Sequence, residues 1–358
     1  MRTVVIIGAG CSKGLANLPT DYDFMRVCEA EIKKAPFLSL VLQRIYSLNQ
    51  PSILPQKWLS ERLEVCWNEI DENRERPKVI LRSADIDSWF ETLVASAKGE
   101  ENLPFKYYSE FLFKDFVSRS PYEYFFEFAA WELKKVACAQ FSVAGNDGIR
   151  YKYKALRSKI EKIKSSRKLS YISFNYDTLL EQVLDNWFYE GLPNANGDGK
   201  INVLKPHGSV NWLHIKDGGQ STITPQDTPV TLDKTGYKDN RLYQPSIVGL
   251  VANKVEFKRH NTIEGNVYGQ NICSGMSAAI CEAEQLIIIG YSFPITDGYV
   301  KEVFVKRRPQ NLKEIHLVTK RQKSGDVELL IEKTHRLFGV SKNCIKSYDS
   351  GVENWIEN

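Results

Sequence analysis

An apolar strand that runs straight into a glycine-rich turn begins at the third residue of the chain. Residues 3–14, TVVIIGAGCSKG, have the pattern of a buried β-strand followed by Gly8, Gly10 and Gly14 and the start of a helix. A turn of this kind lets backbone N–H groups and a helix N-terminus approach a pyrophosphate. The spacing is GxGxxxG rather than GxGxxG, and a helical pattern follows where a dehydrogenase would place an acidic residue. We therefore expect a phosphate-binding α/β fold other than an ordinary dehydrogenase. A tight turn without a ligand is the alternative.

The rest of the chain reads as a helical stretch followed by short strands that alternate with helices. Residues 21–166 have few Gly or Pro and many apolar residues at helical spacing. Apolar runs of four or five residues flanked by helices are typical of parallel strands buried on both faces. We predict a doubly wound, mostly parallel, Rossmann-like α/β sheet domain from residues 1–20 and 165–358, with 21–164 as a helical insertion after the first strand. The later strands are predicted at SYISF (170–174), INVL (201–204), QLIIIG (285–290) and EIHLV (314–318).

Small and polar residues follow three of these strands at the point where each strand ends. Asn175 and Asp177 come after SYISF and before a predicted amphipathic helix, His207 follows INVL, and Gly290 and Ser292 follow QLIII. Each has a plain alternative: a helix cap, a structural histidine, an ordinary turn. Because the carboxyl ends of parallel strands meet at one edge of a sheet, these residues and the glycine-rich turn together predict a dinucleotide cleft.

The composition excludes several classes of protein. With 358 residues, of which 42% are hydrophobic and 26% charged, the chain has globular and not disordered composition. No apolar run is long enough to span a bilayer, and the N-terminus has no signal-peptide layout. Seven cysteines, an odd number, do not suggest a disulfide framework in a chain of this length. We therefore expect a cytoplasmic protein in a reducing compartment, with no membrane partner.

Positive charge is concentrated in one segment. Residues 150–168 hold nine of the 48 Lys and Arg residues and one of the 44 Asp and Glu residues, although the net charge of the chain is only +4. Within it, Tyr153, Leu156, Ile160 and Ile163 recur at the spacing of a helix that buries one stripe. The basic face is either a solvated helix face or a docking face for an acidic partner or nucleic acid. Without aromatic–basic alternation or a zinc finger, direct nucleic-acid binding is not expected.

Four segments in this order resemble the sirtuin superfamily, and in particular its divergent bacterial branch of sirtuin-like NAD hydrolases. They are GAGCSKGLANLPT (8–20), SFNYDTLLE (173–181), KPHGSVNW (205–212) and GYSFPITD (290–297). The resemblance covers residues 1–20 and roughly 165–320, and it implies a sirtuin-type sheet domain that binds NAD.

The resemblance also implies roles for single residues. Asn175 would lie beside the nicotinamide ribose, Asp177 near the carboxamide, and His207 would be the catalytic histidine. The remaining cofactor-binding positions would hold the phosphates and the adenosine, and they are Gly8, Ala9, Gly10, Ser12, Gly290 and Ser292.

What the resemblance implies about activity is an NAD hydrolase that releases nicotinamide and ADP-ribose. NAD is then a substrate, and members of this branch deplete it as effectors of bacterial antiphage defence, as oligomers or with a sensor subunit. The chain has no CxxC pair, so we expect neither zinc nor the zinc module of protein-deacylating sirtuins. The alternatives are a sirtuin-type deacylase or ADP-ribosyltransferase, and a non-catalytic NAD-binding subunit. We expect activation by oligomerisation or by a separate subunit.

Overall fold

The chain is divided into two compact units. One comprises Met1–Asp21, Phe141–Val210 and Ala252–Asn358, and the other comprises Tyr22–Gln140 and Asn211–Val251. A computed structural model describes residues 2–20, 27, 134–142, 146–192, 201–217, 220–230, 234, 236–238, 241–247, 270–294, 297–321 and 323–358. Most of the predicted insertion 21–164 lies outside the described residues, so the predicted division of the chain stays a prediction.

Eleven strands and six α-helices are named here in chain order. The strands are β1 (Arg2–Ile7), β2 (Leu169–Ser173), β3 (Trp187–Tyr189), β4 (Ile201–Leu204), β5 (Gly208–Asp217), β6 (Gln220–Pro225), β7 (Gly236–Lys238), β8 (Arg241–Ile247), β9 (Ala283–Ile289), β10 (Glu314–Val318) and β11 (Ile345–Tyr348). The helices are α1 (Ala9–Ala16), α2 (Asp147–Ile163), α3 (Cys273–Cys281), α4 (Gly298–Lys306), α5 (Asp326–Phe338) and α6 (Val352–Glu357).

Seven strands form one parallel sheet in the first unit. Their order is β11-β10-β9-β1-β2-β4-β3, and each neighbouring pair is parallel. From β1 the chain adds β2 and β4 on one side and later β9, β10 and β11 on the other, so the strand order reverses between β1 and β9. This arrangement confirms the predicted doubly wound α/β fold. A second sheet has the order β6-β5-β8-β7, with antiparallel β5/β6 and β7/β8 pairs.

The centre of the parallel sheet is mostly apolar, although Ser170 of β2 is buried beside Val4 of β1. In register, Val5 of β1 lies between Tyr171 of β2 and Ile287 of β9, and all three side chains are inaccessible to solvent. Continuous Val and Ile runs without polar alternation suit strands that are covered on both sides. Each such side chain contributes about 1.5–3 kcal/mol on burial. The predicted strands 201–204 and 314–318 are confirmed residue for residue, and 170–174 is found one residue earlier.

The segment after Asp177 corrects one prediction. Instead of an amphipathic α-helix it forms a single 3-10 turn, Glu181–Val183. The carboxylate of Asp177 accepts the N–H of Leu179, and Leu184 N donates to Glu181 O in the i−3 pattern. Asn186 then adopts φ +52°, which ends any helix. The local bonds of the aspartate therefore win over the helical apolar spacing.

Helix α2 contains most of the basic segment. Asn146 caps its start by accepting the N–H of Ile149. The predicted stripe is confirmed for Tyr153, Leu156 and Ile160, which are buried, whereas Ile163 is half-buried. The helix contacts α1 and α6 in the sheet-bearing unit.

Two of the basic side chains on α2 are paired within the same unit. Lys152 pairs with Glu353 at 2.9 Å, and Arg157 pairs with Asp185 at 2.7 Å. Part of the positive charge of α2 is therefore neutralised by ion pairs within the unit.

Within the described ranges, no helix is both long and apolar enough to cross a bilayer.

Candidate functional site

Three glycines let the turn after β1 touch the end of β9. The N–H of Gly10 donates to the carbonyl of Gly290 at 3.0 Å. A Cβ at Gly8 would lie 2.6 Å from that carbonyl oxygen, and a Cβ at Gly290, where φ is +62°, would lie 2.2 Å from the amide nitrogen of Cys11. No side chain fits at such distances. Close packing of the backbone thus suffices to explain why these positions are glycine. Their predicted contacts with NAD stay predictions.

The hydroxyl of Ser12 is the hub of a buried polar group, which we call the serine cluster: Ser12, Tyr153, Asn175 and Asp177. Ser12 Oγ donates to Asp177 Oδ2 at 2.8 Å, and Asn175 Nδ2 donates to Ser12 Oγ at 2.7 Å. Tyr153 Oη lies 2.9 Å from the same oxygen. A hydroxyl has one proton and two lone pairs, so the phenol of Tyr153 is the donor in that bond.

The serine cluster leaves one acceptor unused. The bonds to Ser12 occupy its whole hydrogen-bonding capacity, so the predicted phosphate contact of this hydroxyl would have to replace one of them. By contrast, Asn175 Oδ1 is buried without a hydrogen-bond partner among the described residues. An unmade bond of this kind costs about 1–3 kcal/mol, which a ligand or water at this atom would recover. The side chain of Asn175 is therefore the part of the cluster that is poised to bind something.

Burial governs the protonation of the serine cluster. It raises the pKa of Asp177, and the nearby Glu181 raises it further. The charge of Lys205 and the bonds from Ser12 and Leu179 act in the opposite direction. In the geometry observed, both oxygens of Asp177 accept hydrogen bonds, Oδ2 from Ser12 and Oδ1 from the N–H of Leu179.

Tyr153 and Cys11, which also lie next to Asp177, stay neutral. Burial, followed by the charge of Asp177, raises the pKa of Tyr153 well above its ordinary value, which fits its role as a donor. The same two causes raise the pKa of the Cys11 thiol. A thiol that is buried and held protonated is a poor nucleophile, so Cys11 is a packing residue.

A buried ion pair, Lys205–Glu181, lies next to this cluster, and the sequence pattern did not indicate it. Lys205 Nζ donates to the backbone carbonyl of Asp177 and to Glu181 Oε1, the latter at 2.9 Å. Tyr189 Oη donates to the same glutamate oxygen at 3.1 Å. The side chain of Lys205 is 0% exposed and that of Glu181 3%. The available signal was a lysine directly after the apolar strand β4, where a long cation is out of place.

His207 belongs to a second polar group, the histidine cluster: Phe174, His207, Tyr291 and Asp297. His207 Nε2 lies 3.1 Å from Asp297 Oδ1, and Tyr291 Oη donates to Asp297 Oδ2 at 2.7 Å. Phe174 stacks on Tyr291 with ring centroids 4.1 Å apart and meets the edge of His207 at 5.1 Å. Asp297 is fully buried, so its carboxylate depends on these bonds.

One short backbone segment joins the two clusters. The rings of Phe174 and Tyr176 face His207, with centroids 5.1 and 6.1 Å from its ring. Asn175 and Asp177, which alternate with them, bond Ser12 instead. The structure therefore brings the predicted residues together at the carboxyl edge of the sheet, but divides them between two faces of residues 174–177. The roles predicted for them stay predictions.

The segment after β9 reaches the same edge. Ser292 is exposed, whereas its neighbour Phe293 is buried with φ +53°. A positive φ is strained for a bulky residue, and the contacts of its ring with Phe304 and Phe338 hold it in place. The position of Ser292 is thus fixed by the core behind it, and its predicted contact with the adenosine stays a prediction.

No metal site emerges from the part of the chain that the structure describes. Groups of three or more His, Cys, Asp or Glu side chains able to hold a metal ion are absent from those residues. The expectation that the protein lacks zinc stays a prediction.

Comparisons with known proteins find similarity in structure alone. No family model and no curated protein matches the chain. A Sir2 homologue in complex with ADP-ribose is similar at 11% identity and a TM-score of 0.42, over 99% of this chain and 89% of that one. A Sir2 homologue–NAD complex is similar at 13% identity and a TM-score of 0.38, over 99% and 86%. At TM-scores this low the likeness carries no argument about chemistry.

Proposed function

We propose that this chain is an NAD⁺ hydrolase that cleaves the bond between nicotinamide and ribose C1′ to give nicotinamide and ADP-ribose. The observation that most supports it is the placement of Asn175 and His207 on opposite faces of one short backbone segment, residues 174–177, at the carboxyl edge of a doubly wound sheet. Asn175 offers a buried carbonyl oxygen that has no partner within the described part of the chain, and the imidazole of His207 is held by the buried carboxylate of Asp297. Ligands of such sheets bind at this edge, where the strand order reverses.

The chemistry asks little of a general acid. Nicotinamide leaves as a neutral molecule from a cationic ring, so the enzyme must stabilise an oxocarbenium-like ribose and deliver water to it. An amide both donates and accepts hydrogen bonds. With its N–H engaged by Ser12, Asn175 would use Oδ1 to hold a ribose hydroxyl or the attacking water.

His207 is proposed as the general base. If Nε2–H donates to Asp297, the neutral ring has Nδ1 as its proton-accepting nitrogen. The carboxylate then stabilises the imidazolium that forms, and the bond from Tyr291 fixes the carboxylate itself. This is the division of labour between base and orienting acid in acyl-transfer triads.

Binding of the dinucleotide is proposed at the turns beside these clusters. Gly8, Ala9, Gly10 and Ser12 would lie along the phosphates, and Gly290 and Ser292 along the adenosine. Gly10 and Ser292 are exposed at this edge, which gives a ligand access to them. Asp177 would act near the carboxamide through the cluster that it anchors.

The biological role is proposed from the sequence resemblance alone. It is an NAD-depleting effector of bacterial antiphage defence in the cytoplasm, kept inactive until oligomerisation or a separate sensor subunit activates it. A transferase activity, deacylation or ADP-ribosylation, would use the same cleft.

Product identification tests the proposal. The purified protein is incubated with NAD⁺, with and without infected-cell lysate, and the products are identified by mass spectrometry. We expect free ADP-ribose and nicotinamide, and a fall of about 100-fold or more in Asn175→Ala and in His207→Ala. Asn343→Ala, at an exposed asparagine, is the matched control and should keep full activity.

Three outcomes would overturn it. Acetyl-ADP-ribose or a modified protein would identify a transferase. Tight NAD binding without turnover, even with lysate, would identify a binding subunit. Full turnover in the Asn175→Ala/His207→Ala double variant would remove both residues from the mechanism.

A further inference from the structure

We propose that the buried Lys205–Glu181 pair positions Asp177 and balances its charge, which makes both residues positioning residues of the serine cluster. The inference rests on the proposed function only in so far as that cluster holds NAD. Neither residue is among the catalytic or cofactor-binding positions that the sequence pattern indicated.

The geometry places the ammonium group between two parts of one segment. Lys205 follows the last residue of β4, and its Nζ donates both to the carbonyl of Asp177 and to the carboxylate of Glu181. Tyr189 from β3 gives that carboxylate a second donor. Lys205 thus fixes the start and the end of the loop 177–181 to the strand that ends beside it.

Stability alone does not explain such a pair. Removing two charges from water carries a large desolvation cost, and apolar residues of similar volume often fill such a space with equal or greater stability. The ammonium group instead donates one of its three N–H bonds to the backbone carbonyl of Asp177. The arrangement is therefore better explained by what it does to Asp177.

A chain of hydrogen bonds connects the pair to the unused acceptor. Lys205 holds the carbonyl of Asp177, the carboxylate of Asp177 accepts the hydroxyl of Ser12, and Ser12 accepts the amide of Asn175. Asn175 Oδ1, at the far end, is the atom for which the described residues supply no partner. A shift of the Asp177 backbone would be transmitted to this atom through two short bonds.

The two charges act on Asp177 in opposite directions. Lys205 lowers the pKa of Asp177, and Glu181 raises it. Among the described residues, the other titratable groups that face this carboxylate are Tyr153 from α2 and Cys11 from α1, and the pKa of each is raised, so both are neutral. Removal of one member of the pair or of the other should therefore move the titration of Asp177 in opposite senses.

The first experiment does not depend on NAD. Urea unfolding is measured from about pH 4 to about pH 8 for the wild type, Lys205→Met and Glu181→Gln, each with and without Asp177→Asn. The difference within each couple isolates the titration of Asp177. Because the folded-state pKa of Asp177 is raised, its contribution stabilises the fold below the ordinary value and is lost as the pH rises through the folded-state value.

We expect the pH at which this stabilising contribution of Asp177 is lost to shift in opposite directions in the two variants. Lys205→Met should move it to higher pH and Glu181→Gln to lower pH, each by about one pH unit. The matched controls are Lys306→Met and Glu302→Gln, from an exposed ion pair on α4, and neither should move it. If Lys205→Met does not fold, the Lys205→Met/Glu181→Gln double variant replaces it, with a loss at higher pH than in Glu181→Gln alone. Shifts in one common direction, or none, would overturn the inference.

The second experiment measures kcat/KM for NAD⁺ cleavage against pH in the same variants. The low-pH limb should move in the same two directions. If the wild type cleaves no NAD⁺ but the unfolding profiles shift as expected, the proposed function fails and the inference holds for the fold. If NAD⁺ is cleaved and neither profile shifts, the inference fails and the proposed function is untouched.

Discussion

Two buried amides at opposite ends of the parallel sheet differ in how fully they are bonded. Gln285, near the start of β9, accepts the hydroxyl of Thr3 at 3.0 Å and the N–H of Ser165 at 2.9 Å. Its Nε2 donates to the carbonyl of Ile163 at 2.9 Å and to Glu314 at 2.7 Å. Asn175, beyond the carboxyl end of β2, donates to Ser12, and no residue that the structure describes bonds its carbonyl oxygen.

The difference separates a structural amide from one that is poised for a ligand. Both side chains are buried, and both lie in polar clusters that link distant parts of the chain. Only the first has every donor and acceptor satisfied, which is the normal condition of a buried polar group. Burial and polarity by themselves therefore do not separate the two amides, and the unmade bond is what distinguishes Asn175 from Gln285.

The largest expected effect is on stability, at the satisfied amide. Gln285→Ala would remove the acceptor of the Thr3 hydroxyl and of the Ser165 N–H and the donor to the Ile163 carbonyl. We expect the free energy of unfolding to fall by about 3–5 kcal/mol, measured by urea denaturation. NAD⁺ cleavage per folded molecule should be unchanged.

Asn175→Ala should show the reverse profile, a strong loss of NAD⁺ cleavage with a change in the free energy of unfolding of about 1 kcal/mol or less.

Gln310→Ala, at an exposed glutamine, is the control for Gln285→Ala. Equal losses of stability in the Asn175 and Gln285 variants would break the comparison.

A smaller effect is expected at the histidine cluster. Asp297→Asn keeps the shape of the side chain but removes the charge that stabilises an imidazolium at His207. We expect kcat for NAD⁺ cleavage to fall between about 10-fold and about 100-fold, with KM nearly unchanged. Tyr291→Phe, which removes only the bond to the other carboxylate oxygen, should cost less. A larger effect from the tyrosine change would mean that Asp297 does not act through the imidazole.

The smallest effect concerns pH and the amino end of the sheet. Burial lowers the pKa of His316, although the nearby Glu314 opposes this, and Lys346 adds to the lowering. A lowered folded-state pKa means that the contribution of His316 to stability is present above its ordinary value of about 6.5 and is lost as the pH falls through the folded-state value.

His316→Phe, which can still stack on Tyr348, should remove this part of the acid dependence. Unfolding free energies at about pH 7 and about pH 5 measure it. An unchanged pH dependence would show that other groups at this end of the sheet titrate in its place.

Features set by interactions between neighbouring residues could be predicted from the sequence, whereas features set by long-range contacts could not. The strands 201–204 and 314–318 could be predicted because a run of apolar residues between breakers is a local signal. The prediction of a helix after Asp177 was wrong. The bond from the N–H of Leu179 to Asp177 and the bonds from Lys205 to Asp177 and Glu181 override the local apolar spacing. Tyr153 was identified correctly as a buried residue of α2, but its bond to Ser12 spans 141 positions and has no sequence signature.

The sequence by itself determined the doubly wound sheet and the edge at which the polar residues gather, because strand periodicity and the polar ends of strands are written in consecutive residues. Only the tertiary structure decided how those residues are bonded: that Asn175 keeps an oxygen unpaired among the described residues, that Asp297 holds His207, and that Lys205 is buried against Glu181. These are pairings between residues far apart in the chain, and the fold alone sets the distances at which hydrogen bonds and charges act.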